Sequence, residues 1–372
     1  MLGPDSRLLT ALLVAASAAL LVATVRLRPP PVRLLAVRVL CGALTIVVAM
    51  ASGVAAVNHF YGYYQTWGQL WDDFHGSTGN LGVITATRPA PLPAGRFGWA
   101  VLPGRLTGYS RRALVYLPPQ YGQSRYARLR FPVVELFHGT PGTPLVWATE
   151  LRIGKLADAL LARHLIGPMV LVMPSVDGPG GDYQDCVAGP ALKDETYLLK
   201  DVRADLLARY HVAADPYQWG AAGYSAGGYC AASLALRHRG SFGAAAVIDA
   251  ASSPLALAER LTPGNGPLPA FWIADGARDP GYWSATVFAA ALDRFEQVPF
   301  VKLTAGDTGN AGAAALPAAL TWLWQQLAPP DLRVQFPVRS SAPNRVVTLP
   351  VAPVKRRHHH KAYPARAGQR VT

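Results

Sequence analysis

Residues 223–227 read Gly-Tyr-Ser-Ala-Gly, and Gly228 follows. A serine framed this way carries chemistry when a strand leads into it and a helix leads away. Both flanks fit: Gln218–Gly223 is short and apolar, and Ala226–His238 has helical composition. Such a turn holds Ser225 at the tip of a sheet in a strained backbone. The glycines Gly223 and Gly227 are needed because side chains there would collide with the neighbouring strand and helix. The start of the helix lends positive potential to a developing oxyanion. The chemistry offered is attack of a serine hydroxyl on an acyl carbon.

Two further loops could complete that chemistry. Phe131–Phe137 is a buried strand that runs into His138-Gly139-Thr140-Pro141-Gly142. The loop after such a strand supplies one oxyanion N–H. Thr140 can donate it, whereas Pro141 has no N–H; Ala226 supplies the second. His138 is expected to brace this loop. After a strand at Ala270–Ala274 comes Asp275-Gly276-Ala277-Arg278-Asp279-Pro280. The tip of that strand is where the acid of a catalytic triad belongs, with Asp279 the first choice and Asp275 the second. Capping the helix that starts near Tyr282 is the competing role for Asp279.

The elements that must position these groups alternate between strand and helix from about residue 96. Strands are expected at Arg112–Leu117, Phe131–Phe137, Met169–Met173, Gln218–Gly223, Ala244–Ile248, Ala270–Ala274 and Phe300–Leu303. Helices are expected at Leu145–Leu165, Glu195–Tyr210, Ala226–His238, Tyr282–Phe295 and Leu316–Leu327. Alternation with short connections predicts an α/β domain with a mostly parallel sheet flanked by helices on both faces.

Ahead of this domain lie two apolar runs, Leu8–Val25 and Val39–Val57, each long enough to cross a bilayer. Arg26, Arg28, Arg33 and Arg38 lie between them with no acid. The positive-inside rule then puts the short loop in the cytoplasm, and everything after residue 58 outside. A cleaved signal peptide fits less well, because the positive charge follows the first run instead of preceding it. The expected organisation is a transmembrane hairpin over 1–57 (spans about 8–25 and 39–57), a juxtamembrane linker over 58–95, the catalytic-type domain over 96–328, and a basic Pro/Arg-rich tail over 329–372 expected to be disordered. The net charge of +13 across 372 residues suggests nucleic acid at first. Residues 1–57 hold +4 of it and residues 331–372 hold +8, which leaves the domain near neutral and removes most of that support. The tail could meet an anionic surface through Lys355, Arg356, Arg357 and Lys361. No cofactor or metal is expected; Asp72, Asp73 and His75 lack a further ligand pattern. Cys41 falls within the second span. Cys186 and Cys230 form either a disulfide or two separate buried thiols.

The runs RRALVYLPPQY, FPVVELFHGTPG, DCVAGPALKDETYLLKDV, WGAAGYSAGGYCAASLALRH and ALPAALTWLWQQL resemble the exported, membrane-anchored esterase D-like / mycolyltransferase-like α/β-hydrolases of actinobacteria. The resemblance covers about residues 96–328. It implies an α/β-hydrolase fold, ester hydrolysis or acyl transfer, Ser225 as nucleophile and Asp279 as acid. Such relatives also carry cysteines at the positions of Cys186 and Cys230.

One departure cuts across these matches. The family's last strand leads to a Gly-Gly-His-like turn, whereas here it leads to Thr304-Ala305-Gly306-Asp307-Thr308-Gly309-Asn310. Asp307 stands at the expected His position, and no histidine lies between residues 239 and 357. An ordinary Asp, with a pKa of about 3.9, is a poor acceptor for a serine proton near neutrality. Only about 20 residues separate the strands at Ala244–Ile248 and Ala270–Ala274, which leaves room for a short cap over the site. Two readings follow. One is a membrane-anchored extracytoplasmic serine esterase or acyltransferase acting on ester or envelope-lipid substrates. The other is a catalytically dead homologue that binds an envelope ligand or a partner protein.

Overall fold

The computed structural model describes residues 3–4, 6–26, 32–61, 67, 94–140, 142–176, 186, 193–250, 267–276, 282–293, 300–304 and 310–339. Two long helices open the chain, Arg7–Arg26 (α1) and Val32–Tyr61 (α2). They pack against each other, with Ser17 Oγ and Ser52 Oγ 3.4 Å apart. Arg7–Arg26 and Val39–Ala56 are long and apolar enough to cross a membrane. Their few hydroxyls are satisfied within the helices: Ser17 donates to the Leu13 carbonyl, Thr24 to Leu20, Thr45 to Cys41 and Ser52 to Val48. A hydrocarbon environment would require that arrangement, since it offers no other acceptor.

Among the described residues the domain is built on one sheet of eight strands: Arg96–Pro103 (β1), Ser110–Leu117 (β2), Val133–Phe137 (β3), Val170–Pro174 (β4), Trp219–Tyr224 (β5), Ala244–Ile248 (β6), Ala270–Gly276 (β7) and Phe300–Thr304 (β8). Their order is β1-β2-β4-β3-β5-β6-β7-β8. β2 is antiparallel to both its neighbours, and all other pairings are parallel. The helices are Leu145–Thr149 (α3), Ile153–Ala162 (α4), the run of Asp194–Thr196, Tyr197–Val202 and Arg203–Arg209 (α5), Ala226–Arg237 (α6), Tyr282–Asp293 (α7), Asn310–Leu327 (α8) and Pro330–Gln335 (α9).

Successive strand residues face opposite layers. Val133, Val115, Val172 and Ala221 pack with Leu198 and Val202 of α5, Cys230 and Leu234 of α6, and Phe288 and Leu292 of α7. Val134, Leu171, Ala222, Ala246 and Trp272 pack on the other face with Leu160 of α4 and Leu323 and Trp324 of α8. Sheets covered on both faces need strands that are buried throughout, which explains the unbroken burial of β3 and β4 and the near-continuous apolar runs there, Glu135 of β3 excepted. The α/β-hydrolase expectation therefore holds.

Three details differ from the sequence reading. The single helix expected at Leu145–Leu165 is two, because Arg152 breaks it in the left-handed region at φ 48°. The strand Arg96–Pro103 has no counterpart among the expected elements. The tail expected to be loose from residue 329 is ordered at its start: α9 buries Leu332, the Phe336 ring packs tilted against Tyr126 at 5.2 Å, and the Arg339 N–H donates to the His164 carbonyl.

Cys186 and Cys230 form a disulfide with Cα atoms 5.3 Å apart, and both residues are buried. It ties the segment between β4 and α5 to the helix that carries Ser225 at its N-terminus. The bridge closes a loop 44 residues apart in sequence. Replacing both cysteines with serine is expected to cost about 2–4 kcal/mol, read as a lower denaturant midpoint of the full chain in detergent.

Candidate active site

The parallel strands end on one edge of the sheet, and Ser225 sits there at the junction of β5 and α6. Its backbone has φ 56° and ψ −124°, outside the regions that side chains ordinarily occupy. The neighbouring strand holds this turn: the Ser225 N–H donates to the Ile248 carbonyl at 3.0 Å. α6 begins at once, with Gly228 N–H donating to the Ser225 carbonyl at 2.9 Å.

Both flanking glycines are required by close approach. A Cβ on Gly223 would lie 1.9 Å from the Gly227 carbonyl oxygen, and one on Gly227 would lie 2.1 Å from the Phe137 carbonyl oxygen. The second collision also shows that α6 starts directly against the tip of β3. The loop leaving β3 therefore passes over the serine. A Cβ built on Gly139 would stand 3.1 Å from Ser225 Cβ and 3.7 Å from its Oγ. Thr140 is the next residue in that loop and is exposed, and Ala226 is the first residue of α6. The structure thus brings together Ser225, Ala226, the two elbow glycines and the Gly139–Thr140 loop. Asp279 and Asp307 lie outside the described residues. Asp275, the second choice for the acid, is buried on β7, one residue before that strand ends.

His138 is fully buried and engaged through both ring nitrogens. Nε2 accepts from the Val176 N–H at 3.3 Å, so the proton is on Nδ1, which lies 2.9 Å from the Gly139 carbonyl and donates to it. The ring ties the loop after β3 to the segment after β4. It braces the loop and is occupied in doing so.

The remaining described histidines are elsewhere. His164 and His211 precede β4 and β5, which places them at the opposite edge of the sheet from Ser225. His211 there stacks on Tyr121. His238 ends α6, about 20 Å from its start at about 1.5 Å per residue, and pairs with Glu195. Burial pulls the His238 imidazole below its ordinary pKa, against the opposing pull of Glu195. His59 is on α2, and His75 and His358–His360 lie outside the described residues.

Two residues near the site had no sequence signal that singled them out. Gly139 was visible only as part of the His138–Gly142 loop, and its contact with Ser225 emerges from the packing. Asp249 follows β6 at φ 43°, is buried, and donates its N–H to the Ala274 carbonyl, next to the residue whose carbonyl holds the Ser225 amide.

Comparison with known proteins agrees with this geometry. The chain is 29% identical over 218 residues to an uncharacterized protein of Corynebacterium glutamicum, which covers 55% of this chain and 50% of that protein. The match thus spans about half the length of that relative. Among solved structures, a ferulic acid esterase superposes with a TM-score of 0.57 at 20% identity, covering 63% of this chain and 99% of the other. A fluorophosphonate-binding serine hydrolase of Staphylococcus aureus, FphF, gives 0.51 at 18% identity, covering 62% and 98%. An S-formylglutathione hydrolase from Agrobacterium tumefaciens gives 0.50 at 15% identity, covering 63% and 96%. At these identities the likeness is one of fold. The family model described as "Putative esterase" matches residues 105–315, more than half of the sequence, and the chain belongs to that family.

Proposed function

We propose that the chain is a membrane-anchored extracytoplasmic serine esterase or acyltransferase acting on ester or envelope-lipid substrates. Ser225 is the nucleophile, the N–H groups of Ala226 and Thr140 receive the oxyanion, Asp279 is the acid, and Asp307 occupies the usual His position. The observation that carries this reading is the backbone of Ser225: a serine held at φ 56° and ψ −124° between two glycines that nothing larger can replace. Strain of this kind persists only where the surroundings enforce it. The apolar helices α1 and α2, and a disulfide that an oxidising compartment permits, support the location. Attack by Ser225 Oγ on an acyl carbon would release the alcohol and leave an acyl-enzyme for water or a second alcohol to take.

A second reading rests on one specific observation. No histidine lies between residues 239 and 357, and the described histidines before that stretch are at the far edge or engaged elsewhere. On that reading the domain retains the elbow and binds an envelope ligand or partner protein without turnover.

A fluorophosphonate probe separates the two. The full chain in detergent is expected to be labelled at Ser225, with labelling and short-chain nitrophenyl ester hydrolysis both lost in Ser225→Ala. A folded wild type as inert as Ser225→Ala would overturn the esterase reading and leave the binding one.

A further inference from the structure

The domain is near neutral as a whole, yet its charge is segregated. Residues 94–134 hold seven arginines and no acid. Three of them, Arg105, Arg111 and Arg112, lie on the hairpin between β1 and β2, whereas Arg96, Arg125, Arg128 and Arg130 lie toward the opposite edge. Because β2 is antiparallel to β1 and to β4, while β4, β3 and β5 are parallel, β1 runs in the same direction as β5. The hairpin tip at residues 104–109 therefore lies on the same edge of the sheet as Ser225. It is four strand spacings away, roughly 19 Å at about 4.8 Å per strand.

That tip exposes apolar and basic side chains together. Leu106 is 64% exposed, and Val101 on the adjoining strand end is 53% exposed. Pro103, Arg105, Arg112 and Lys193 are exposed beside them. A single exposed leucine is ordinary, but this one is presented by a backbone held rigidly from below. The carboxylate of Asp201, 3% exposed, accepts from the Leu106 N–H at 2.9 Å, the Thr107 N–H at 3.1 Å and the Thr107 hydroxyl at 2.7 Å. Gly104 and Gly108 close the turn with backbone bonds of 2.6 and 2.8 Å. Lys193 Nζ caps the Thr107 carbonyl at 3.4 Å. The nearest acid is thus buried and spent on the loop, and the outward charge is positive.

We propose that this tip docks onto the anionic headgroup layer of the membrane that anchors the chain. Leu106, Val101 and Pro103 would enter the interface while Arg105, Arg112 and Lys193 meet lipid phosphates. The tether argues for this occupant, because β1 is the first described strand after the helices long enough to span a bilayer. Docking by this edge turns the end of the sheet that carries Ser225 toward the lipid, so esters embedded in the bilayer become its substrate class. That last step rests on the hydrolase reading, whereas docking itself does not.

The test uses the full chain with Cys41→Ser, reconstituted in nanodiscs of phosphatidylcholine with or without phosphatidylglycerol. A nitroxide at Leu106→Cys is compared with one at Ser124→Cys, an exposed residue at the opposite edge. The expected result is that the label at 106 becomes oxygen-accessible and shielded from a nickel chelate in anionic discs, while the label at 124 stays aqueous. Leu106→Asp should lower turnover of a bilayer-embedded ester about tenfold without changing hydrolysis of a soluble nitrophenyl ester. Two aqueous labels in both lipids would overturn the docking, as would dipolar broadening at 106 between separate chains, which would assign the tip to a second copy. A shielded label with no hydrolysis of either ester would leave docking standing and defeat the hydrolase reading alone.

Discussion

Asp307→His is expected to raise turnover of a short-chain nitrophenyl ester by about 10²-fold or more, with the gain lost again when Ser225→Ala is added. The magnitude follows from what the wild type has and lacks. The elbow and the loop over it are built to close tolerances, as the collisions at Gly223 and Gly227 show. Oxyanion stabilisation and binding alone leave a serine nucleophile on the order of 10³–10⁴-fold above water, whereas a positioned general base contributes typically about 10²–10⁴ more. Sequence and topology choose the position. β8 lies beside β7 and parallel to it, with Gly276 opposite Thr304. Asp279 and Asp307 each follow their strand end by three residues. The pH profile provides a signature that a purely structural effect would not produce. An introduced imidazole must be neutral to take the serine proton, so the rate of the variant should rise with pH through about 6.5 and then level off. A variant no faster than wild type, with Ser225 still labelled by a fluorophosphonate, would mean that the chain already has a base outside the Asp307 position.

The contrast between what was legible and what was not has physical causes. The elbow could be read because its glycines answer local collisions, and local collisions leave a local signature. The apolar runs of β3 to β7 were legible because both of their faces are buried, so no polar alternation interrupts them. β1 was missed because it is an edge strand whose outer residues Val101 and Pro103 are exposed, and it follows a Gly/Pro-rich segment. The Pro/Arg-rich composition after residue 329 points to a loose tail, yet Pro330 stands in the first turn of α9, where its missing N–H costs nothing. The break at Arg152 was hidden because a left-handed arginine has no compositional mark. The bracing role of His138 was anticipated from its place in the loop, but its partner Val176 is 38 residues away and invisible to any local pattern.

Glu135 offers the second large effect, in stability. It occupies the middle of β3, between Val172 of β4 and Ala221 of β5, is 1% exposed, and accepts no hydrogen bond from the described residues. Burial pushes its carboxyl up to about 7, with the Arg203 guanidinium pulling in the opposite direction. Arg203 is itself committed elsewhere, lying over the Trp219 ring at 4.5 Å and donating to the Ser241 carbonyl. An unfolded glutamate releases its proton near 4.5. Between that pH and about 7 the folded chain therefore binds more protons than the unfolded one, and stability falls as pH rises through this window. Above it the cost is fully present, about 3 kcal/mol for a shift of this size. Glu135→Gln keeps the shape and cannot ionise. It should match wild type near pH 4.5, exceed it by up to about 3 kcal/mol at pH 8, and flatten the pH dependence between, as read from urea midpoints of the full chain in detergent. Equal destabilisation at both pH values would instead mean that Glu135 is ionised in the fold and needed as the counter-charge of Arg203. The position matters for the site as well as the core. Two residues further along β3, the Phe137 carbonyl packs against Gly227 of the elbow. The carboxyl that weakens the fold above neutrality is thus on the strand that supports Ser225, and the pH dependence of activity should be measured alongside that of stability.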